Sequence, residues 1–142
     1  MTTVEVWHNE ALGVNVCTAL GKNGFEARYV STAPAALEAI ADFVQPGMSV
    51  GFGGSMTLDA LGAREKVRSL GARVLDHNAP GIDEQRKLEV RRAQLTCDLF
   101  LPSSNAVTLE GEIVNVDGGG NRVAALTFGP KKTVVVGASL GY

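Results

Sequence analysis

The sequence predicts an α/β fold, a three-layer α/β/α arrangement in which a mostly parallel sheet lies between helices. Three observations predict it. Helix-periodic segments alternate with short apolar runs, the pattern of parallel strands joined by helical crossovers. Glycine or proline punctuates most junctions. The composition, 45% hydrophobic and 20% charged over 142 residues, suits one complete core. Residues 1–142 therefore read as a single domain, without internal repeat, low-complexity tract or linker.

Taken in order, Asn9 can cap a first helix running to about Asn23, where Gly24 ends it. Phe25 to Val30 alternates like a short strand. Ser31 or Thr32 caps a second helix with Pro34 in its first turn, where a missing amide donor costs nothing. Leu37, Ile40, Ala41 and Val44 recur at helical spacing until Pro46-Gly47. Met48 to Phe52 is an apolar strand with a glycine-rich exit, and a helix from about Thr57 to Leu70 follows. Arg73 to Asp76 reads as a strand, Asn78 to Gly81 as a loop, and Asp83 as the cap of a helix ending near Thr96. Asp98 to Leu101 is a strand. Val107 to Val116 reads as a hairpin turning at Glu110-Gly111, and Lys131 to Gly137 as a valine-rich, fully buried strand.

Bulk properties narrow the function. A net charge of −2 gives no electrostatic reason to expect nucleic acid. No apolar stretch has the length of a membrane span, and the amino terminus lacks a basic start and apolar run, so the expected location is the cytoplasm. Cys17 and Cys97 read as buried free thiols, which a reducing compartment suits. No Cys-x-x-Cys or His/Cys cluster points to a metal, an iron–sulfur centre or another cofactor. His8 and His77 read as surface or turn residues, and Trp7 as a packing residue. Arg86, Lys87, Arg91 and Arg92 alternate with Glu84 and Glu89 in the pattern of a solvated helix face.

Three motifs could carry chemistry. Gly51 to Thr57 leaves a strand in glycines and opens a helix, so that backbone amides and the Ser55 and Thr57 hydroxyls could meet a phosphate or carboxylate beside Gly53 and Gly54. The other reading is a tight turn with an ordinary serine cap. It is not a Walker loop, since no Gly-Lys-Ser/Thr follows. Ser103 to Thr108 offers small polar side chains, Ser104, Asn105 and Thr108 among them, of the kind that line a pocket at the carboxyl edge of a parallel sheet. A hydrogen-bonded turn would use the same residues. In Asn115 to Arg122, Gly118 and Gly120 would let a ligand approach the backbone, with Asn121 and Arg122 as donors. Asp117 could serve as a general base, as could Glu112 in an acid–base or nucleophilic role. Alternatively Asp117 and Asn121 satisfy turn amides and Arg122 pairs with an acid.

The residues Val50-Gly51-Phe52-Gly53-Gly54-Ser55-Met56-Thr57-Leu58 resemble the central motif of the LUD domain family, the lactate-utilisation proteins of type C. Ser104-Asn105-Ala106-Val107-Thr108, Gly111, Val114 to Gly118, Gly120 to Ala125 and Phe128-Gly129-Pro130-Lys131-Lys132 extend the resemblance in the same order. It implies a fold similar to the ribose-5-phosphate isomerase and CoA-transferase superfamily, whose sugar-phosphate isomerases hold phosphate with a similar loop. It also implies iron–sulfur partner subunits, beside which some such proteins work in the oxidation of L-lactate to pyruvate. Family members usually continue past the last strand with Asn-Lys-Ile and a helix. Here Gly137 leads into Ala138-Ser139-Leu140-Gly141-Tyr142, so the expectation is either a shortened member lacking the usual C-terminal helix or a truncated or altered carboxyl end.

The expected function is binding of a small anionic metabolite, carboxylate or phosphate, as an accessory subunit of lactate or organic-acid utilisation. The alternatives are a stand-alone isomerase or acyl/CoA-transfer enzyme using Asp117 or Glu112, and a purely structural interaction subunit. A homo-oligomer is expected on general grounds.

Overall fold

The computed structural model describes residues 2–138. Helix α1 spans Thr3–Lys22 and α2 Ala33–Ala41. Strand β1 (Ser49–Phe52) leads into α3 (Met56–Leu61) and α4 (Ala63–Ser69). Strand β2 (Arg73–Asp76), α5 (Glu84–Gln94) and β3 (Leu99–Leu101) follow. A short hairpin, β4 (Ala106–Val107) with β5 (Ile113–Val114), precedes α6 (Asn121–Thr127) and β6 (Lys132–Thr133). The central sheet is parallel throughout, in the order β2-β1-β3-β6.

Alternation along the strands sorts the core into two layers. Val50, Phe52, Leu99 and Leu101 point to one face and pack with Ile40, Leu58, Ala63 and Val67 from α2, α3 and α4. Phe100 points to the other, against Cys97 and Ala125, with Leu75 and Leu95 beside them. Helices thus cover both faces, which is why β1 and β3 are buried at every position. Burial raises the Cys97 thiol pKa, and Cys17, half-buried on α1, shifts the same way.

The amino-terminal edge of the sheet is stapled by polar groups. Asp98 Oδ2 accepts from Ser49 N at 2.9 Å and Ser49 Oγ at 3.0 Å, while Lys131 Nζ reaches Asp98 Oδ1 at 2.7 Å. The staple ties the starts of β1 and β3 to the entry of β6. These donors, Lys131 foremost and then Ser49, hold the Asp98 carboxyl at about 2.

Several elements differ from the sequence reading. The first helix starts at Thr3 rather than after Asn9, because Thr2 and Glu5 form a capping box. Its residues 3–8 are all exposed, so Trp7, expected to pack, is 68% exposed. Phe25 to Val30 forms no strand; it runs beside α1 with the Tyr29 ring against Gly13. The helix expected over 57–70 is broken at Gly62, whose left-handed backbone (φ 69°) ends α3 and starts α4. The last strand pairs only at Lys132–Thr133, though Val134 and Val136 still donate to Phe100 O and Pro102 O. Its valines are half-buried rather than fully buried, since β6 lies at the sheet edge with one neighbour. His77, read as a surface or turn residue, does sit in a turn but is buried there. The chain after Ala138, where the departure from the family's usual continuation falls, lies outside the described residues. Among the described residues no helix is long and apolar enough to cross a membrane.

Candidate functional site

The order β2-β1-β3-β6 contains one reversal. The chain steps from β1 to β2 on one side, then crosses back to β3 on the other. Loops leaving the carboxyl ends of β1 and β3 therefore diverge to opposite faces, which makes this edge the topological switch point at which parallel α/β sheets commonly bind ligands. The first loop is Gly53-Gly54-Ser55, the second Pro102 to Asn105. They touch: Gly53 N donates to Leu101 O at 3.3 Å, and a Cβ on Gly53 would stand 3.4 Å from Pro102 Cα.

Local chemistry explains each loop. Ser55 is the N-cap of α3, its buried Oγ accepting from Leu58 N at 3.2 Å. The hydroxyl is thus committed to the helix. Gly54 is exposed and Thr57 half-buried. In the second loop Ser103 and Ser104 are half-buried, while Asn105 is exposed and fixed by its Oδ1, which accepts from Val116 N at 2.9 Å.

The third motif reaches the second through Arg122. Its Nε donates to Asp117 Oδ1 at 2.8 Å, Nη1 to Ser103 O at 3.1 Å, and Nη2 to Asn105 Oδ1 at 2.5 Å and Val116 O at 3.2 Å. Asp117 Oδ2 meanwhile accepts from Val123 N at 2.6 Å. The carboxylate orients Arg122 and anchors the start of α6, and the guanidinium joins the loops after β3 and β5. Of the two readings of this motif, the pairing of Arg122 with an acid is the arrangement present. Four of the five guanidinium N–H donors are used, leaving one on Nη1. Gly118, Gly119 and Gly120 form an exposed turn ahead of Asn121, the first residue of α6.

Thr108 and Glu112 do not join this group through any hydrogen bond. They close the hairpin turn on each other, Glu112 N donating to Thr108 Oγ1 at 3.0 Å and Thr108 Oγ1 to Glu112 Oε1 at 3.3 Å. The turn is docked on the end of α1, where Asn23 Nδ2 donates to Glu110 O and Gly111 O. Glu112 is exposed there.

Two side chains absent from the sequence reading brace the same carboxyl edge. Gln94 is buried and its Nε2 donates to Phe52 O at 2.9 Å and Leu75 O at 2.8 Å, with His77 Nδ1 3.3 Å away. Burial, reinforced by the charge of Arg91, holds His77 below the ordinary imidazole pKa. Arg64 Nε lies 2.7 Å from Asp76 Oδ2, its Nη1 pairs with Asp59, and its Nη2 reaches Gly53 O at 3.4 Å. The guanidinium also sits 5.0 Å from the Phe52 ring centroid. A hollow of about 260 Å³ opens beside Arg64, lined by Leu58, Asp59, Asp76 and Pro80. The only advance signal for Gln94 is its place four residues after Val90 on the buried face of α5. Arg64 carries none.

Among the described residues no cluster of three or more histidine, cysteine or acidic side chains could hold a metal ion. The edge offers backbone amides, small hydroxyls, an asparagine amide and a tethered guanidinium, donors suited to a small anion.

Comparison with known proteins gives one match. The LUD domain model covers residues 15–138, nearly the whole chain. No curated protein and no solved structure matches it. The motif order, the parallel sheet and that coverage agree: the chain belongs to the LUD domain family, whose role is related to lactate utilisation.

Proposed function

We propose that this chain binds a small carboxylate of the lactate–pyruvate class between the carboxyl ends of β1 and β3, as an accessory ligand-binding subunit of lactate utilisation. One observation carries the reading: the glycine loop and the serine–asparagine loop flank the single reversal in strand order and touch at Gly53 and Pro102. Gly54 supplies an amide without a side chain in the way, while Gly53, whose N–H is held by Leu101 O, keeps the two loops together. The Ser103 and Ser104 hydroxyls, neither tied into the hydrogen bonds above, suit the hydroxyl or keto oxygen of such a ligand. Asn105, exposed and held through its Oδ1, has amide donors that take no part in the hydrogen bonds above, and the remaining Arg122 N–H adds a charged donor. In this reading Asp117 is a positioning residue, and the redox chemistry would be supplied by the iron–sulfur partner subunits that the family resemblance implies.

Titration calorimetry with L-lactate and pyruvate tests the proposal. Saturable binding that weakens by about fivefold in Ser104→Ala, the loss of one net hydrogen bond, is expected. Absence of saturable heat with either compound contradicts it.

A further inference from the structure

The four basic residues of α5 fall into two pairs. Arg86 and Lys87 are neutralised on their own helix, by Glu89 at 3.1 Å and Glu84 at 2.9 Å. Arg91 and Arg92 form no ion pair among the described residues, and the Arg91 Nε is buried without a hydrogen-bond acceptor. Neither guanidinium makes a hydrogen bond or ion pair among the described residues, which leaves their terminal N–H donors for an incoming anion.

Both arginines line one hollow of about 300 Å³, with Leu88, Leu95, Gly119 and Asn121. Leu88, Arg91, Arg92 and Leu95 follow the spacing i, i+3, i+4, i+7, which sets them on a single face of the helix and its C-cap. That face puts two cations between two apolar side chains. Across from it, Gly119 adds no side chain to the opposite wall and Asn121 brings an amide group.

We infer that this hollow is a second anion site, taking a small phosphate monoester with an apolar substituent. Two guanidinium groups match the two charges and several acceptor oxygens of a phosphate better than the single charge of a carboxylate. Leu88, 47% exposed, and half-buried Leu95 give the substituent apolar surface to cover. The inference does not depend on the lactate–pyruvate reading of the β1/β3 edge, since its donors come from different side chains.

Phenyl phosphate and inorganic phosphate are the probes, titrated by calorimetry into the full chain. Phenyl phosphate is expected to bind saturably and more tightly than inorganic phosphate. Affinity should fall by about tenfold or more in Arg91→Gln/Arg92→Gln, while Ser104→Ala leaves it unchanged. If the double variant fails to fold, Arg92→Gln alone, at an exposed position, should still weaken binding by about fivefold. No saturable binding of phenyl phosphate, or binding indifferent to the arginine substitutions, overturns the inference. So does a loss in Ser104→Ala equal to that in the arginine variants, which would put the phosphate at the β1/β3 edge.

Discussion

Arg122 and Asp117 form an ion pair, 2.8 Å from Nε to Oδ1, with side chains only 16% and 9% exposed. The pair stands where the sequence shows a loose run of glycines, and it turns that run into a fixed junction. Through it the loop after β3, the loop after β5 at Val116 and the first turn of α6 share one hydrogen-bond network.

Breaking the pair from the acidic side leaves a largely buried guanidinium with its best partner gone. Asp117→Asn should lower unfolding free energy by about 3 kcal/mol, read from the urea midpoint at constant m-value. A change below about 0.5 kcal/mol, the range of ordinary surface substitutions, would mean that Asp117 does not hold this junction.

Ser55 is a capping residue whatever else it does. Ser55→Ala removes the acceptor for Leu58 N and should cost about 1 kcal/mol in chemical denaturation. Ligand studies with this variant therefore need its fold stability measured alongside.

Gly111 makes the hairpin fit α1. Its φ is +82°, and a Cβ there would lie 2.4 Å from the Ala19 carbonyl carbon, a backbone atom that cannot swing aside. Gly111→Ala should destabilise by about 3 kcal/mol, combining left-handed strain with overpacking. Thermal unfolding followed by circular dichroism gives the comparison, with Gly118→Ala, which meets open space, as control.

Acid sensitivity should trace partly to Asp98. Its folded pKa, about 2, lies below the ordinary carboxylate value. Its contribution is therefore complete above that ordinary value and is lost as pH falls toward 2. The urea midpoint of the native chain should decline over that window more steeply than that of Asp98→Asn. Parallel curves for the two proteins would show that the Lys131–Ser49 staple is not responsible.

Much of the fold was legible because its signals are local. Thr32 ahead of Pro34, Asp83 ahead of α5 and Ser55 after a glycine-rich strand exit all act as caps. What escaped depends on distant partners. Phe25 to Val30 alternates like a strand, but no sheet edge receives it. Trp7 looks like core from its composition alone, yet the Thr2–Glu5 capping box carries the helix two turns beyond its contacts with the body. For the site, the loops after β1 and β3 were readable as glycine and small polar runs. Gln94 was not, because its role is set by carbonyls of Phe52 and Leu75 on strands remote in sequence. That Thr108 and Glu112 hydrogen-bond each other across the hairpin turn was not legible either, because the pairing depends on how the turn closes.

The central claim, a small carboxylate held between the ends of β1 and β3, is tested most directly by amide chemical-shift mapping during titration with L-lactate and pyruvate. Saturable shifts confined to Gly53, Gly54, Ser55, Ser104 and Asn105 are the predicted result. Saturable shifts confined to other elements, or none at these five amides, would contradict it.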